Sequence, residues 1–318
     1  MTTPLTVPVA GDRATFLGAP RCHDLAELDA DVAVLGVAHG VPYQPDAPYE
    51  PSAAAVRTVR EQSLHFADAP AHWDFTFGGE LFNGREVRIA DCGDVAMVPG
   101  DLVGNAARTT AAVRAILERG AFPLVLGGDD SIPIPVLRAW TGADPLCVVT
   151  IDAHIDWREE RFGIRDGLSS NMRRASEIDA VTAMAQIGIR GGGSARREEV
   201  EAARAFGSVI VTAADLRRDG PDAVLARIPA AERYVLSIDI DGLDPAIAPG
   251  VIAPAFGGLS YDEANALVRG LAAKGRLVGF DVVEVVPETD VHDRTSLLAA
   301  RLALDTIAAL AWSGQVGR

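Results

Sequence analysis

"LCVVTIDAHIDW", residues 146–157, changes character at its midpoint, and that change decides the fold. Leu146 to Ile151 are apolar or β-branched without polar alternation, which reads as a strand buried on both faces. Strands of that kind belong to parallel sheets covered by helices. Asp152, His154 and Asp156 follow at once. Residues two apart in an extended chain point to the same side, so the three can converge beyond the strand's carboxyl end. In open parallel sheets, ligands bind in that crevice.

Seven further runs resemble it: "VAVLGVA" (32–38), "VRIADCG" (87–93), "PLVLGG" (123–128), "AQIGIR" (185–190), "SVIVT" (208–212), "YVLSIDI" (234–240) and "LVGFDVVEV" (277–285). Helical patterns lie between them, including 101–120 and 260–275. The second opens on a capping box, Ser260 with Glu263, and closes on Lys274-Gly275. The expected class is therefore α/β, a three-layer α/β/α sandwich around a mostly parallel sheet of about eight strands. Beyond residue 30 there is no Pro/Ser-rich linker, so residues 1–318 read as one domain whose first ~30 residues form an arm. Residues 38–85, rich in Pro, Tyr and Gly, read as loops, either ordinary surface or the rim of a site.

Two other strand ends also carry acids. "VLGGDDSIP" (125–133) holds Asp129 and Asp130, and "YVLSIDIDGLDP" (234–245) holds Asp239 and Asp241. One reading makes Asp129 or Asp130 a turn residue capping a helix that starts near Ile132. The other gathers the acids at one rim, where burial of so many carboxylates is prohibitive without cations. Oxygen-rich ligands with one imidazole suit Mn2+ or another first-row divalent ion better than structural zinc. Two such ions, typically about 3.5–4 Å apart, can activate a water between them for hydrolysis.

Composition narrows the partners. At 48% hydrophobic and 23% charged, the chain is ordinary globular protein. A formal charge of −15 argues against nucleic acid and anionic membranes, and favours a cation as partner. No apolar run of about 18 residues suggests a membrane span, and the N-terminus lacks signal-peptide character, so a cytoplasmic location is expected. Cys22, Cys92 and Cys147 show no metal or redox spacing and read as reduced, with Cys147 filling core. His23, His72 and His292 read as surface or packing residues.

At "IDAHID" (151–156) and "SIDIDGLDPAIAPG" (237–250), the chain resembles the ureohydrolase family, which includes arginase, agmatinase and guanidinobutyrase. The resemblance runs from "GVPYQPDAPYEPSAAAVR" (40–57) to "GFDVVEVVPETD" (279–290), with the agmatinase-like branch the best fit. It implies hydrolysis of a guanidinium group to urea and an amine at a two-metal centre, Mn2+ first and Ni2+ second. By the same resemblance, Asp152 and Asp239 bridge both ions, Asp130 and Asp156 complete one site, and His154 and Asp241 complete the other. Asp156 would hold the bridging hydroxide, and Glu284 the guanidinium. A carboxylate meets a planar, forked cation well.

Agmatine is the expected substrate; 4-guanidinobutyrate, guanidine or a biguanide are alternatives, as is a non-catalytic subunit that pairs with an active homologue. A homo-oligomer, trimer or hexamer, is implied. Two departures stand out. The family pattern reads Gly-Gly-Asp-His where this chain has Gly127-Gly128-Asp129-Asp130. Five carboxylates and one imidazole around two divalent ions leave one net negative charge, where four and two would leave none; the excess raises the pKa of bound water. A loop histidine common in the family is also missing from "GIRDGLSSNMRRAS" (163–176), leaving Asp166, Ser169, Ser170, water, His39 or His65 to handle protons.

Overall fold

All eight apolar runs form strands. The computed structural model describes residues 5–38, 40–41, 51–142, 144–192 and 195–318. Its strands are β1 (Thr6–Val7), β2 (Val32–Val37), β3 (Trp73–Asp74), β4 (Gly79–Glu80), β5 (Ile89–Val95), β6 (Phe122–Gly127), β7 (Leu146–Ile151), β8 (Val181–Ile189), β9 (Val209–Thr212), β10 (Arg233–Asp239) and β11 (Arg276–Val283). Its helices are α1 (Ala55–Ser63), α2 (Leu102–Glu118), α3 (Pro133–Leu137), α4 (Asn171–Ala175), α5 (Arg197–Phe206), α6 (Ala213–Asp219), α7 (Pro221–Arg227), α8 (Tyr261–Lys274) and α9 (Arg294–Trp312).

Among the described residues one large sheet has nine strands in the order β1-β5-β2-β6-β11-β10-β7-β8-β9. Every pairing is parallel except that of β1 with β5. The ninth strand comes from the N-terminal arm, whose Thr6 and Val7 pair with Val95 and Asp94. Two residues carry no periodicity, so β1 has no signature in the sequence.

Alternation along each strand divides the core. Val34, Leu124, Leu126, Val149, Leu236 and Phe280 face one layer, with Val59 of α1, Leu271 of α8 and Leu304 of α9. Leu35, Val125, Val148 and Val235 face the other, with Val113 of α2, Val136 of α3 and Met172 of α4. This is the expected α/β/α sandwich, and each such fully buried side chain contributes about 1.5–3 kcal/mol.

Three local readings change. The span 38–85 contains α1, whose Ala55, Val56, Val59, Arg60 and Ser63 are buried at helical spacing, and the small β3–β4 hairpin. Gly275 ends α8 in extended backbone instead of a left-handed cap. A Cβ there would lie 2.5 Å from Tyr234 Cε2, so close packing is what excludes a side chain. Finally, α9 is long and apolar enough to cross a membrane by length and composition, yet 78% of it is buried inside the protein.

Candidate metal centre

The strands β6, β11, β10 and β7 are consecutive neighbours at the middle of the sheet. Their carboxyl ends lead, in that order, into Asp130, Glu284, the Asp239–Asp241 turn and the Asp152–Asp156 loop. Sequence neighbours do not build this site; sheet order does.

Asp152 belongs to two groups of ligand-type atoms. With His154 and Asp241 it forms one, and with Asp130 and Asp239 another, the atoms of each group lying within 4.8 Å of one another. His154 Nδ1 is 3.2 Å from Asp241 Oδ2 and 3.5 Å from Asp152 Oδ1. The loops hold themselves open through local bonds: the His154 N–H donates to Asp152 Oδ1 at 2.5 Å, and the Asp241 N–H to Asp239 Oδ1 at 2.8 Å. The Ala153 N–H reaches Asp241 Oδ1 at 3.2 Å and so couples the β7 and β10 ends. Asp156 lies outside both groups but hydrogen-bonds Asp130 and Asp152. Asp156 (φ 41°) and Glu284 (φ 67°) are both held in left-handed backbone. Such conformations cost about 1–3 kcal/mol each and persist where surroundings enforce them.

Burial is the first electrostatic fact of the site. It pushes Asp130, Asp152 and Asp239 well above the usual carboxylate range, and neighbouring carboxylates add to the rise. Asp156 is raised too, by burial against hydrogen bonds that oppose it. Burial opposes the charging of His154, but Asp152 and Asp241 outweigh it and push the imidazole up to about 11. Asp152 Oδ2 is buried and has no hydrogen-bond partner among the described residues. An orphaned oxygen on the carboxylate that belongs to both ligand groups is what divalent cations would satisfy, so the residues fit such a centre.

Arg190, at the end of β8, is the cation behind the site. It donates to the carbonyls of Asp241 (2.6 Å), Leu243, Gly242, Gly188 and Ala255. Burial lowers its pKa, and Asp241 and Asp152 partly restore it. Sequence reading missed Arg190, because backbone carbonyls leave no mark in side-chain patterns.

The paired acids of residues 129 and 130 have separate roles. Asp129 Oδ2 accepts the Val41 N–H at 3.0 Å, and Oδ1 accepts the Ser131 N–H at 2.9 Å, so Asp129 is the turn residue. Gly40 is required there, since a Cβ would sit 2.2 Å from Asp129 Oδ2. Asp130 faces the cluster, its N–H donating to Glu284 Oε1 and its Oδ2 accepting from Asn171 Nδ2. Asn171 was also missed; the polar triplet Ser169-Ser170-Asn171, in the segment that lacks the family histidine, was the available signal.

Of the candidate proton carriers, His39 lies outside the described residues. His65 is exposed beyond α1, and Asp166 pairs with Arg138 at 2.7 Å. His23, His72 and His292 are exposed, and Cys147 is buried core.

A model of the arginase family matches residues 30–309. The chain belongs to the arginase family. It is 31% identical over 313 residues to a guanidinobutyrase of Pseudomonas aeruginosa, covering 96% of this chain and 94% of that protein. It is 36% identical over 234 residues to a guanidinopropionase of the same organism, covering 71% and 73%. The solved structure of proclavaminate amidinohydrolase from Streptomyces clavuligerus superposes with a TM-score of 0.81 at 28% identity, over 98% of this chain and all of that one. Arginase-family enzymes are hydrolases of amidino C–N bonds that use a binuclear divalent metal centre. This arginase-family chain is an amidinohydrolase acting on guanidino compounds.

Proposed function

We propose that this amidinohydrolase releases urea from agmatine, with Asp130, Asp152, His154, Asp156, Asp239 and Asp241 holding two divalent ions, Mn2+ first and Ni2+ second. The observation that carries the reading is the sharing of Asp152 between two ligand groups at four adjacent strand ends. When bound, the ions would supply a water acidic enough to act as nucleophile at neutral pH. Glu284 accepts the forked N–H donors of the substrate's guanidinium and orients its central carbon. Asp156, beside Asp130 and Asp152, would accept a hydrogen bond from the attacking water and hold it for attack. Arg190 holds the Asp241 turn in place from behind.

Agmatine, a dication, is favoured over guanidino acids by the acidic balance of the chain, a formal net charge of −15. Arg165 and Arg173 meet Glu159 at 2.7 and 2.8 Å, and Arg174 meets Glu177 at 2.9 Å. These three arginines share two glutamates, which leaves one positive charge that a substrate carboxylate can meet. A second reading, 4-guanidinobutyrate, is motivated by the name of the Pseudomonas guanidinobutyrase. Residues 1–318 are read as one cytoplasmic domain that assembles as a homo-oligomer.

The test is urea release from agmatine, 4-guanidinobutyrate, arginine and guanidine by the purified chain in Mn2+ or Ni2+. The highest kcat/KM is expected for agmatine. A higher value for 4-guanidinobutyrate selects the second reading. Ions bound without urea from any of the four would contradict both substrate readings.

A further inference from the structure

Asn171 opens α4 with its side chain turned inward and only 1% exposed. Its Nδ2 donates to Asp130 Oδ2, and its Oδ1 has no hydrogen-bond partner among the described residues. The opposite amide orientation would set a carbonyl against a carboxylate, two acceptors face to face. What places Asn171 is the backbone of α4, anchored to the site where the Arg173 N–H donates to the Asp156 carbonyl at 3.2 Å.

Asp130 poses a problem that a neutral ligand with one donor atom would not. It brings a full negative charge into contact with Asp156, Asp239 and Asp152, and it brings a second oxygen that can swing into the same space. A buried amide N–H on one of those oxygens addresses both, because it stops the rotation and sets the positive end of a dipole against the surplus charge.

Building on the binuclear reading above, we propose that Asn171 is a positioning residue that ties down one oxygen of Asp130 and leaves it a single-atom ligand for a divalent cation. Asn171 touches no reacting atom; it acts through Asp130. Partners that orient metal ligands in this way typically change metal affinity by about 10–100-fold when removed.

The experiment is Mn2+ binding by equilibrium dialysis to the full chain, to Asn171→Ala, to Asp130→His and to the double variant. The unaltered chain is expected to hold two ions, and N171A to bind its weaker ion about 10–100-fold less tightly. With Asp130→His the ligand has one coordinating nitrogen and no second oxygen, so adding N171A is expected to change affinity by less than about threefold. An equal loss in both backgrounds would show that Asn171 merely packs, and no loss in either would remove its role. Asn171→Asp, which keeps the shape but replaces the donor by an anion, is expected to lose more than N171A; unaltered binding by N171D overturns the proposal independently. Should the unaltered chain hold no ions, the binuclear reading falls and this inference with it, whereas two ions held with equal affinity by the unaltered chain and N171A refute only the role of Asn171.

Discussion

The backbone N–H of Asp130 donates to Glu284 Oε1 at 2.8 Å, joining the ends of β6 and β11 across 154 residues of sequence. One carboxylate oxygen thus fixes the loop that carries Asp130 while the group as a whole supplies a negative charge to the crevice. The two duties separate by substitution. Glu284→Gln keeps an acceptor for the Asp130 N–H and removes the charge, so metal content is expected to stay at the level of the unaltered chain while kcat/KM for urea release falls about 10- to 100-fold. Glu284→Ala removes both and is expected to lower metal content as well. Metal analysis beside steady-state kinetics checks the split; equal metal loss in both variants contradicts it.

Arg190 supports the Asp239–Asp241 turn through carbonyls alone. Arg190→Met leaves those acceptors without their donors and removes a positive charge behind Asp241. A destabilisation of about 2–4 kcal/mol is expected, with a fall in Tm of roughly 5 °C or more. Metal affinity should fall in parallel. Thermal unfolding with and without Mn2+ reads both, and an unchanged Tm would show that the turn holds itself.

Asp281, in β11, is fully buried and accepts the Ser237 hydroxyl at 2.6 Å, and its Oδ2 has no hydrogen-bond partner among the described residues. Burial pushes its carboxyl up to about 7, against the Ser237 bond. Because the folded pKa exceeds the unfolded one, the stability it contributes is complete below the ordinary carboxylate range and is lost as pH rises through about 7. Asp281→Asn, neutral at every pH, is expected to remove that part of the slope. Tm measured between pH 5 and 8 on metal-loaded protein should fall several degrees less in D281N than in the unaltered chain. Parallel profiles would show that Asp281 does not titrate in this range.

The acid cluster has the same sign without metal and the opposite sign with it. Asp130, Asp152 and Asp239 lie well above the usual range, so the metal-free chain is expected to lose stability as pH rises from that range upward. Cations replace the protons, so Mn2+ affinity should rise with pH and binding should release protons. Calorimetry at pH 7 in two buffers of different ionisation enthalpy measures the release. A buffer-independent heat, with affinity flat from pH 6 to 8, would contradict a carboxylate-rich site.

How much of this was legible in the sequence follows from what each feature is made of. Strands buried on both faces are uninterrupted apolar runs, so all eight were readable, and the capping box at Ser260 marked the start of α8. The acids at three strand ends were visible as residues, but not the order β6-β11-β10-β7 that makes them one site, because that order joins segments far apart in the chain. α1 was hidden behind a Pro-rich approach that read as loop throughout. The spacing alone did not separate Asp129 from Asp130, and only the resemblance singled out Asp130 as a ligand; hydrogen bonds from Val41 and Ser131 put Asp129 in the turn, while Asn171 meets Asp130. Asn171 and Arg190 escaped for a shared reason: each acts on a group that carries no local pattern, one a single carboxylate oxygen and the other backbone.

Anomalous diffraction from crystals grown in Mn2+ probes the two-ion centre most directly. Two peaks about 3.5–4 Å apart are expected, one beside His154 and Asp241, the other beside Asp130, with Asp152 between them. A single peak, or none with the carboxylates turned away from one another, would contradict it.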